Sequence, residues 1–151
     1  NMAARSVSGD FYDIIPLANA WNGAGAGMVG ELPEALALYD FLGKLKNDMQ
    51  TACIRYTPVA GKMIKRVAVC GGAGSFLVGA AKAAGADVLV TADFKYHQFF
   101  DGENQLVIAD IGHYESEQFT KDLLLELINK NFTTFAVRKS EVNTNPINYF
   151  C

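Results

Sequence analysis

Apolar runs alternate with helical patterns over the second half of the chain. Short runs rich in Val, Ile and Leu predict strands, and the segments between them have the spacing of helices. The predicted strands are residues 65–71 (KRVAVCG), 87–92 (DVLVTA), 104–111 (NQLVIADI) and 133–138 (TTFAVR). Helices are predicted at 75–86 (SFLVGAAKAAGA) and 115–131 (ESEQFTKDLLLELINKN). Continuous apolar strands separated by helices predict an α/β fold, with a mixed, largely parallel sheet covered by helices on both faces.

The first fifty residues have a different pattern. Residues 10–21 (DFYDIIPLANAW) predict one strand with a loop after it, and the next stretch holds four closely spaced glycines at 23, 25, 27 and 30. Glycines at this density predict a flexible or tightly turned segment. Pro33 favours a helix start, so we expect a helix from Pro33 to Asp48 with Leu38, Leu42 and Leu45 among its apolar positions.

Composition limits the class of partner. The 151 residues are 50% hydrophobic and 19% charged, with a formal net charge of -3. A slightly acidic chain argues against binding to nucleic acid or to an anionic membrane, because both require a positive field. Without a long apolar run or a secretion signal, we expect a cytoplasmic protein. The three cysteines (Cys53, Cys70 and Cys151) are widely spaced, which favours free thiols over a disulfide framework.

His113 and Glu117 are the first candidate for chemistry. They stand four residues apart at the start of a predicted helix, so their side chains can converge on one point. The preceding strand ends at this position, where ligands collect in open α/β sheets. An imidazole and a carboxylate suit Zn, Mn or Fe. Alternatively, Glu115 and Glu117 lie in the first turn because acidic residues there favour the helix dipole, and His113 is only a neighbour of the helix cap.

A second polar cluster follows the predicted strand 87–92. Asp93, Lys95, Tyr96 and His97 are expected on the same edge of the sheet as His113. His97 could be a ligand, a general acid–base or a contact to a substrate phosphate. A polar loop with Asp93 capping a short helix explains the cluster equally well.

Two loops are weaker candidates. Gly71, Gly72 and Gly74 lie between a strand and a helix, where free backbone N–H groups could bind an anion, or where a tight turn could need positive φ. Cys70 beside them is expected to be packed as a small apolar side chain. Asn143, Thr144 and Asn145 could line a polar site or simply form a turn.

The order of these segments carries more information than any one of them. Residues 71–77 (GGAGSFL), 85–98 (GADVLVTADFKYHQ), 108–118 (IADIGHYESEQ) and 135–150 (FAVRKSEVNTNPINYF) together resemble the carboxyl-terminal half of the Nif3-like family. The resemblance extends from about Gly27 to Phe150. Members of this family are described as dinuclear-metal proteins or as GTP cyclohydrolase 1 type 2 homologues.

The resemblance implies an architecture and a set of roles. Family members have two α/β lobes with a metal pair in the cleft between them, and they assemble into hexameric rings. Residues 1–26 would be the end of an inserted small α/β domain or a linker, and residues 27–151 the carboxyl-terminal lobe. His113 and Glu117 would be metal ligands, and His97 would lie beside the substrate.

Two departures from the family pattern bear on the site. The ligands of the first lobe, a His-His pair and an Asp, have no match, because His97 and His113 are the only histidines in the sequence. Ala92 also stands where the family has glycine. We therefore expect a divalent metal in the complete protein and only weak metal binding by this chain, because metals prefer four or more donors. A cleft face without its second lobe would expose apolar surface, which self-association would cover.

Three functional hypotheses follow. The first is the carboxyl-terminal lobe of a metal-dependent hydrolase acting on a nucleotide or a related ring or phosphate substrate, with His97 as the catalytic proton carrier. In this hypothesis Gly71, Gly72, Gly74, Asp93, Lys95 and Tyr96 contact the small-molecule substrate. The second is a non-catalytic binding or assembly scaffold. The third is a domain that binds a nucleotide at Gly71, Gly72 and Gly74, without the acidic ribose contact expected of such a fold.

Overall fold

Within residues 12–17 and 25–150, the parts of the chain that this computed structural model describes, six strands form one mixed sheet. The spatial order is β1-β2-β4-β5-β6-β3. The strands are β1 (Tyr12–Leu17), β2 (Gly27–Ala37), β3 (Arg55–Tyr56), β4 (Met63–Ala73), β5 (Val88–Ala92) and β6 (Val107–Asp110).

The centre of the sheet is parallel and its two sides are antiparallel. β4 pairs with β5, and β5 with β6, in parallel, whereas β1 with β2, β2 with β4 and β3 with β6 are antiparallel. The central register places Val69 opposite Val90, and Val90 opposite Ala109. The carboxyl ends of β4, β5 and β6 therefore meet at one edge of the sheet, and the candidate residues follow these ends.

Helices cover both faces, so the predicted α/β class is confirmed. Helix α1 (Leu38–Asp48) packs on one face, where Phe41 and Leu45 contact the same apolar cluster as Val90. Helix α2 (Val78–Ala83) packs on the other face, in a cluster that contains Leu89. Successive residues of β5 thus point to opposite faces, and each face has its own core.

The predicted helix start at Pro33 is wrong. β2 continues to Ala37, with Leu36 opposite Ile64 of β4, and the helix begins at Leu38. The register of this pairing shifts between Glu31 and Leu36. An irregular stretch of strand tolerates Pro33, which has no N–H to donate.

The prediction of a flexible or tightly turned segment is also wrong at Gly27 and Gly30, since both lie in β2. A Cβ on Gly27 would lie 2.7 Å from the carbonyl oxygen of Val69, so glycine lets β2 approach β4 closely. Gly23 and the outer parts of the predicted strand 10–21 lie outside the described residues.

β1 joins the main sheet by antiparallel pairing with β2. Part of the segment 1–26 therefore extends the sheet of the following residues. The domain boundary between residues 26 and 27 stays a prediction.

The predicted helix 115–131 is two helices, α3 (His113–Glu117) and α4 (Thr120–Asn131), separated by a turn at Gln118 and Phe119. The predicted strand 133–138 is wrong, because these residues form a turn and irregular backbone. Five of the six are exposed and none pairs with a strand in the described part of the chain, so nothing completes a ladder of hydrogen bonds. No helix formed by the described residues is both long and apolar enough to cross a membrane.

Candidate functional site

Three loops meet at the carboxyl edge of the parallel strands. Gly72 is the penultimate residue of β4, Asp93 directly follows β5, and His113 begins α3 after β6. The parallel pairing brings these three positions together although they are far apart in the sequence.

His113 is held at both ring nitrogens. Its Nδ1 lies 2.6 Å from Oδ2 of Asp93, and its Nε2 lies 3.4 Å from Oε2 of Glu117. All three side chains are about half exposed. An ionised carboxylate can only accept a hydrogen bond, so Nδ1 carries the proton in the bond to Asp93. The predicted convergence of His113 and Glu117 on one region is confirmed.

The charge around His113 favours its protonated form. The hydrogen bond that His113 donates to Asp93 raises the pKa of His113 above its usual value, partial burial opposes this rise, and the charges of Asp93 and Glu117 add to it. A metal ion binds only the deprotonated Nε2, so metal binding here must release a proton when the ring is charged.

Gly72 allows His113 and Glu117 to lie close to the backbone of β4. Its φ is +66°, and a Cβ added there would lie 2.7 Å from Oε1 of Glu117 and 3.2 Å from Nε2 of His113. The N–H of Gly72 donates to the hydroxyl of Ser116 at 2.8 Å, and that hydroxyl donates to the carbonyl of His113 at 2.8 Å. The buried hydroxyl of Thr91 donates to the carbonyl of Gly72 at 2.9 Å. Gly72, Ser116 and His113 are thus fixed relative to one another.

A buried carboxylate fixes the two loops that carry Asp93 and His113. Asp110 accepts the N–H of Phe94 at 2.9 Å and the N–H of Gly112 at 3.1 Å, and it pairs with Arg55. One acid at the end of β6 therefore anchors the residue after Asp93 and the residue before His113.

Sequence reasoning missed Asp110, Thr91 and Ser116 as residues that build the site. Asp110 and Thr91 carry a detectable signal, because each is a polar side chain at the end of a run of apolar strand residues. Such a position requires a hydrogen-bond partner once it is buried.

His113 and Glu117 fit one side of a metal site. The mixed nitrogen and oxygen donors suit a divalent transition metal. No group of three or more His, Cys, Asp or Glu side chains that could hold a metal occurs in the described residues. The pair would therefore need donors from outside the described part of this chain to complete a coordination shell.

The other predicted residues of the β5 loop are not brought to His113 by any hydrogen bond or ion pair in the described structure. Tyr96 and His97 lie in the 3-10 helix Tyr96–Gly102 and are exposed, and the ring of Tyr96 packs edge-on to Phe100 at 5.5 Å. Lys95 is exposed, and its backbone N–H donates to Gln98. Contacts of Lys95, Tyr96 and His97 with a substrate stay predictions.

The prediction of free backbone N–H groups at Gly71, Gly72 and Gly74 needs correction. β4 continues to Ala73, and the N–H of Gly72 is already bound to Ser116, so this group is not free for an anion. The alternative, a tight turn needing positive φ, holds only in part, because Gly72 has positive φ but lies within β4. Cys70 is buried as expected, and this burial raises the pKa of its thiol.

A groove opens from the His113–Glu117 pair along α4. Its volume is about 800 Å³, and residues 137–147 form its other wall. The described cysteines Cys53 and Cys70 are free thiols and do not line it.

Thr144 and Asn145 do line the groove, and the predicted turn is present, since Oδ1 of Asn143 accepts the N–H of Asn145 at 3.0 Å. The amide of Asn145 donates to the buried Glu115 at 3.2 Å, which ties this wall to α3.

Comparison with known proteins gives consistent matches. Residues 3–146 match the family model described as Duf34/NIF3 (NGG1p interacting factor 3). A Staphylococcus epidermidis protein named "GTP cyclohydrolase 1 type 2 homolog" is 36% identical over 143 residues, which are 91% of this chain and 38% of that protein.

Solved structures agree with the sequence matches. The crystal structure of a Bacillus cereus protein related to NIF3 superimposes with a TM-score of 0.73 at 30% identity, covering 91% of this chain and 39% of the other. A Staphylococcus aureus protein gives the same TM-score at 31% identity, covering 83% of this chain and 42% of the other. The chain thus spans about two fifths of the length of these relatives.

Proposed function

The chain belongs to the NIF3 family, and on this premise we propose that it is the carboxyl-terminal lobe of a dinuclear metal-binding protein. The complete protein would be a metal-dependent hydrolase acting on a nucleotide or a related ring or phosphate substrate. His113 and Glu117 would be this lobe's ligands for Zn, Mn or Fe.

The geometry of His113 and Glu117 is the observation that carries this proposal. Nε2 and Oε2 are 3.4 Å apart on one turn of α3, and the absence of a side chain at Gly72 lets both groups lie close to β4. Two donors that share one ion lie a few ångströms apart, because each sits about 2 Å from the metal. The half-exposed side chains also leave a second lobe access to the same ion.

In this proposal the metal ion and the side chains of the chain have separate roles. When bound, a divalent ion would polarise the substrate and lower the pKa of a water. His113 and Glu117 would hold the ion, and Asp93 would hold His113. His97 is proposed to carry a proton beside the substrate, since its imidazole is exposed and can act as a general acid or base.

The groove along α4 supports a substrate of intermediate size with negative charge. Its volume of about 800 Å³ lies within the range of small-molecule sites. Lys121 and Arg138 line it together with apolar Leu124 and Ile128. A planar, phosphate-bearing molecule would match both kinds of lining, and the name of the Staphylococcus epidermidis relative points to guanine nucleotides.

Metal analysis of the chain tests the metal half of the proposal. Purified chain is titrated with zinc after treatment with a chelator, together with His113→Ala and the matched variant His97→Ala. We expect saturable binding that His113→Ala abolishes and His97→Ala leaves unchanged. Equal zinc binding by all three proteins would contradict the assignment.

A second candidate function is a non-catalytic assembly module, which the exposed apolar side chains favour. Leu124, Leu127 and Phe135 are each about half exposed or more. A scaffold would use this surface for a second copy of the chain and would need no metal. Zinc binding at His113 favours the first candidate, and its absence in a complete relative favours the second.

A further inference from the structure

Asp93 contacts the edge of the His113 ring that faces away from Glu117. Its Oδ2 lies 2.6 Å from Nδ1, whereas Glu117 lies beside Nε2. These three side chains do not converge as a group that could hold one ion within the described residues. Asp93 is therefore placed to orient the His113 ring rather than to bind the same ion as His113.

The backbone at Asp93 is held in an uncommon conformation. Its φ is +59°, in the left-handed region that costs most residues energy and that Asp and Asn tolerate best. The flanking residues keep it there, because Ala92 and Phe94 are buried and the N–H of Phe94 is bound to Asp110. The fixed backbone thus holds the Asp93 carboxylate in position beside His113.

We propose that Asp93 is a positioning residue that keeps the His113 proton on Nδ1, so that the lone pair of Nε2 faces the space beside Glu117 and Gly72. A neutral imidazole has one N–H and one lone pair, and an ionised carboxylate can bond only to the N–H. Ring nitrogens that bind metal commonly have such a carboxylate behind them. The proposal rests on the proposed function only in naming a metal as the group that Nε2 binds.

The tautomer of His113 is directly measurable. The sequence has two histidines, so a ¹⁵N-histidine-labelled, metal-free chain gives two imidazole signals, and His97→Ala assigns them. Two-bond ¹H–¹⁵N correlation at alkaline pH, where both rings are neutral, shows which nitrogen carries the proton. We expect Nδ1–H on His113. A wild-type His113 that carries its proton on Nε2 overturns the proposal without any Asp93 variant.

Asp93→Asn is the decisive variant. Asn keeps the shape and tolerates the same φ, but its amide can donate to Nδ1, which shifts the proton of His113 to Nε2. Asp101→Asn makes the same change at an exposed acid elsewhere and serves as the matched control. We expect the tautomer to shift in Asp93→Asn alone. An unchanged His113 spectrum in that variant contradicts a positioning role.

Zinc titration of the same samples separates this inference from the proposed function. If both hold, Asp93→Asn weakens zinc binding at His113 by about 10- to 100-fold, as loss of such a partner does elsewhere. If the tautomer shifts but neither the wild-type chain nor a complete relative binds zinc at this pair, Asp93 positions the ring and the metal assignment fails. If zinc binds equally to wild type and Asp93→Asn, the positioning role is overturned and the metal assignment stands.

Discussion

At the scale of single residues, the candidate site depends on the absence of a side chain at position 72. A side chain there would occupy the space between the β4 loop and the His113–Glu117 pair. The nearest atom, Oε1 of Glu117, is the end of a flexible side chain and can move away. Any residue larger than glycine is therefore expected to displace Glu117 without preventing folding.

Gly72→Ala should weaken zinc binding in addition to lowering the stability of the fold. Positive φ alone costs a non-glycine residue about 1–2 kcal/mol, and Gly85→Ala shares this cost because its φ is +70° with no atom within 4 Å of the added Cβ. Urea unfolding should show similar destabilisation of both variants, and zinc titration should show weaker binding only for Gly72→Ala. Equal zinc affinity in the two variants would rule out the displacement of Glu117.

The sequence is sufficient to predict that the side chains of His113 and Glu117 converge, because their spacing is local to one helical turn. The sequence does not show that Gly72 and Asp93 approach the same ring, since those contacts depend on the parallel order of β4, β5 and β6. Asp93 was predicted to contact substrate, and its observed partner is His113. The contact between Asp93 and His113 depends on the long-range pairing of strands, which no local sequence pattern encodes.

At the scale of elements, Asp87 joins β4 to β5 at the end opposite the site. Its Oδ2 accepts the backbone N–H groups of Lys65 and Arg66 at 2.9 and 2.8 Å, and its Oδ1 pairs with Lys62 at 2.9 Å. Partial burial alone raises the pKa of Asp87, but these hydrogen bonds and the charge of Lys62 outweigh it and hold the pKa below its usual value.

Asp87→Asn should lower stability at neutral pH and not in acid. A pKa lowered by folding gives stability that is present above the unfolded pKa of about 3.9 and is lost as pH falls through the folded pKa. Urea unfolding across this range should show a deficit of about 1 kcal/mol at pH 7 that closes in acid, with Asp101→Asn unchanged throughout. A deficit independent of pH would mean that the charge of Asp87 does not stabilise the strand pair.

Element boundaries were harder to predict than element types. The helix expected from Pro33 begins at Leu38 because pairing with β4 extends β2, and proline at a helix start looks the same in the sequence as proline in an irregular strand. The strand expected at 133–138 has the right residue types but no neighbouring strand in the described part of the chain. Propensity identifies a segment that can form a strand, and only a partner makes it one.

At the scale of the whole molecule, the chain has one well-covered part and one exposed part. The two faces of the sheet are packed, whereas α4 has no buried residue and the segment after it is almost entirely exposed. The relatives are more than twice as long as the matched region. Apolar side chains such as Leu127 and Phe135 are therefore available for contact with a second copy or with the remainder of such a protein.

The isolated chain is expected to self-associate through α4 and the following segment. Exposed apolar side chains gain free energy when removed from water, so sedimentation velocity should show a mass that rises with concentration. Leu127→Gln combined with Phe135→Gln should shift the chain toward monomer. Phe76→Gln, which changes an exposed aromatic residue beside α2, should have no such effect. A wild-type monomer at all concentrations would contradict this expectation.

Anomalous diffraction from zinc-soaked crystals tests the central assignment most directly. We predict a zinc peak about 2.0–2.1 Å from Nε2 of His113 and within bonding distance of a Glu117 carboxylate oxygen. The same crystals of His113→Ala should lack it. A peak bound to His97, or a His113 ring with its Nε2 turned away from Glu117 and no zinc beside it, would contradict the account.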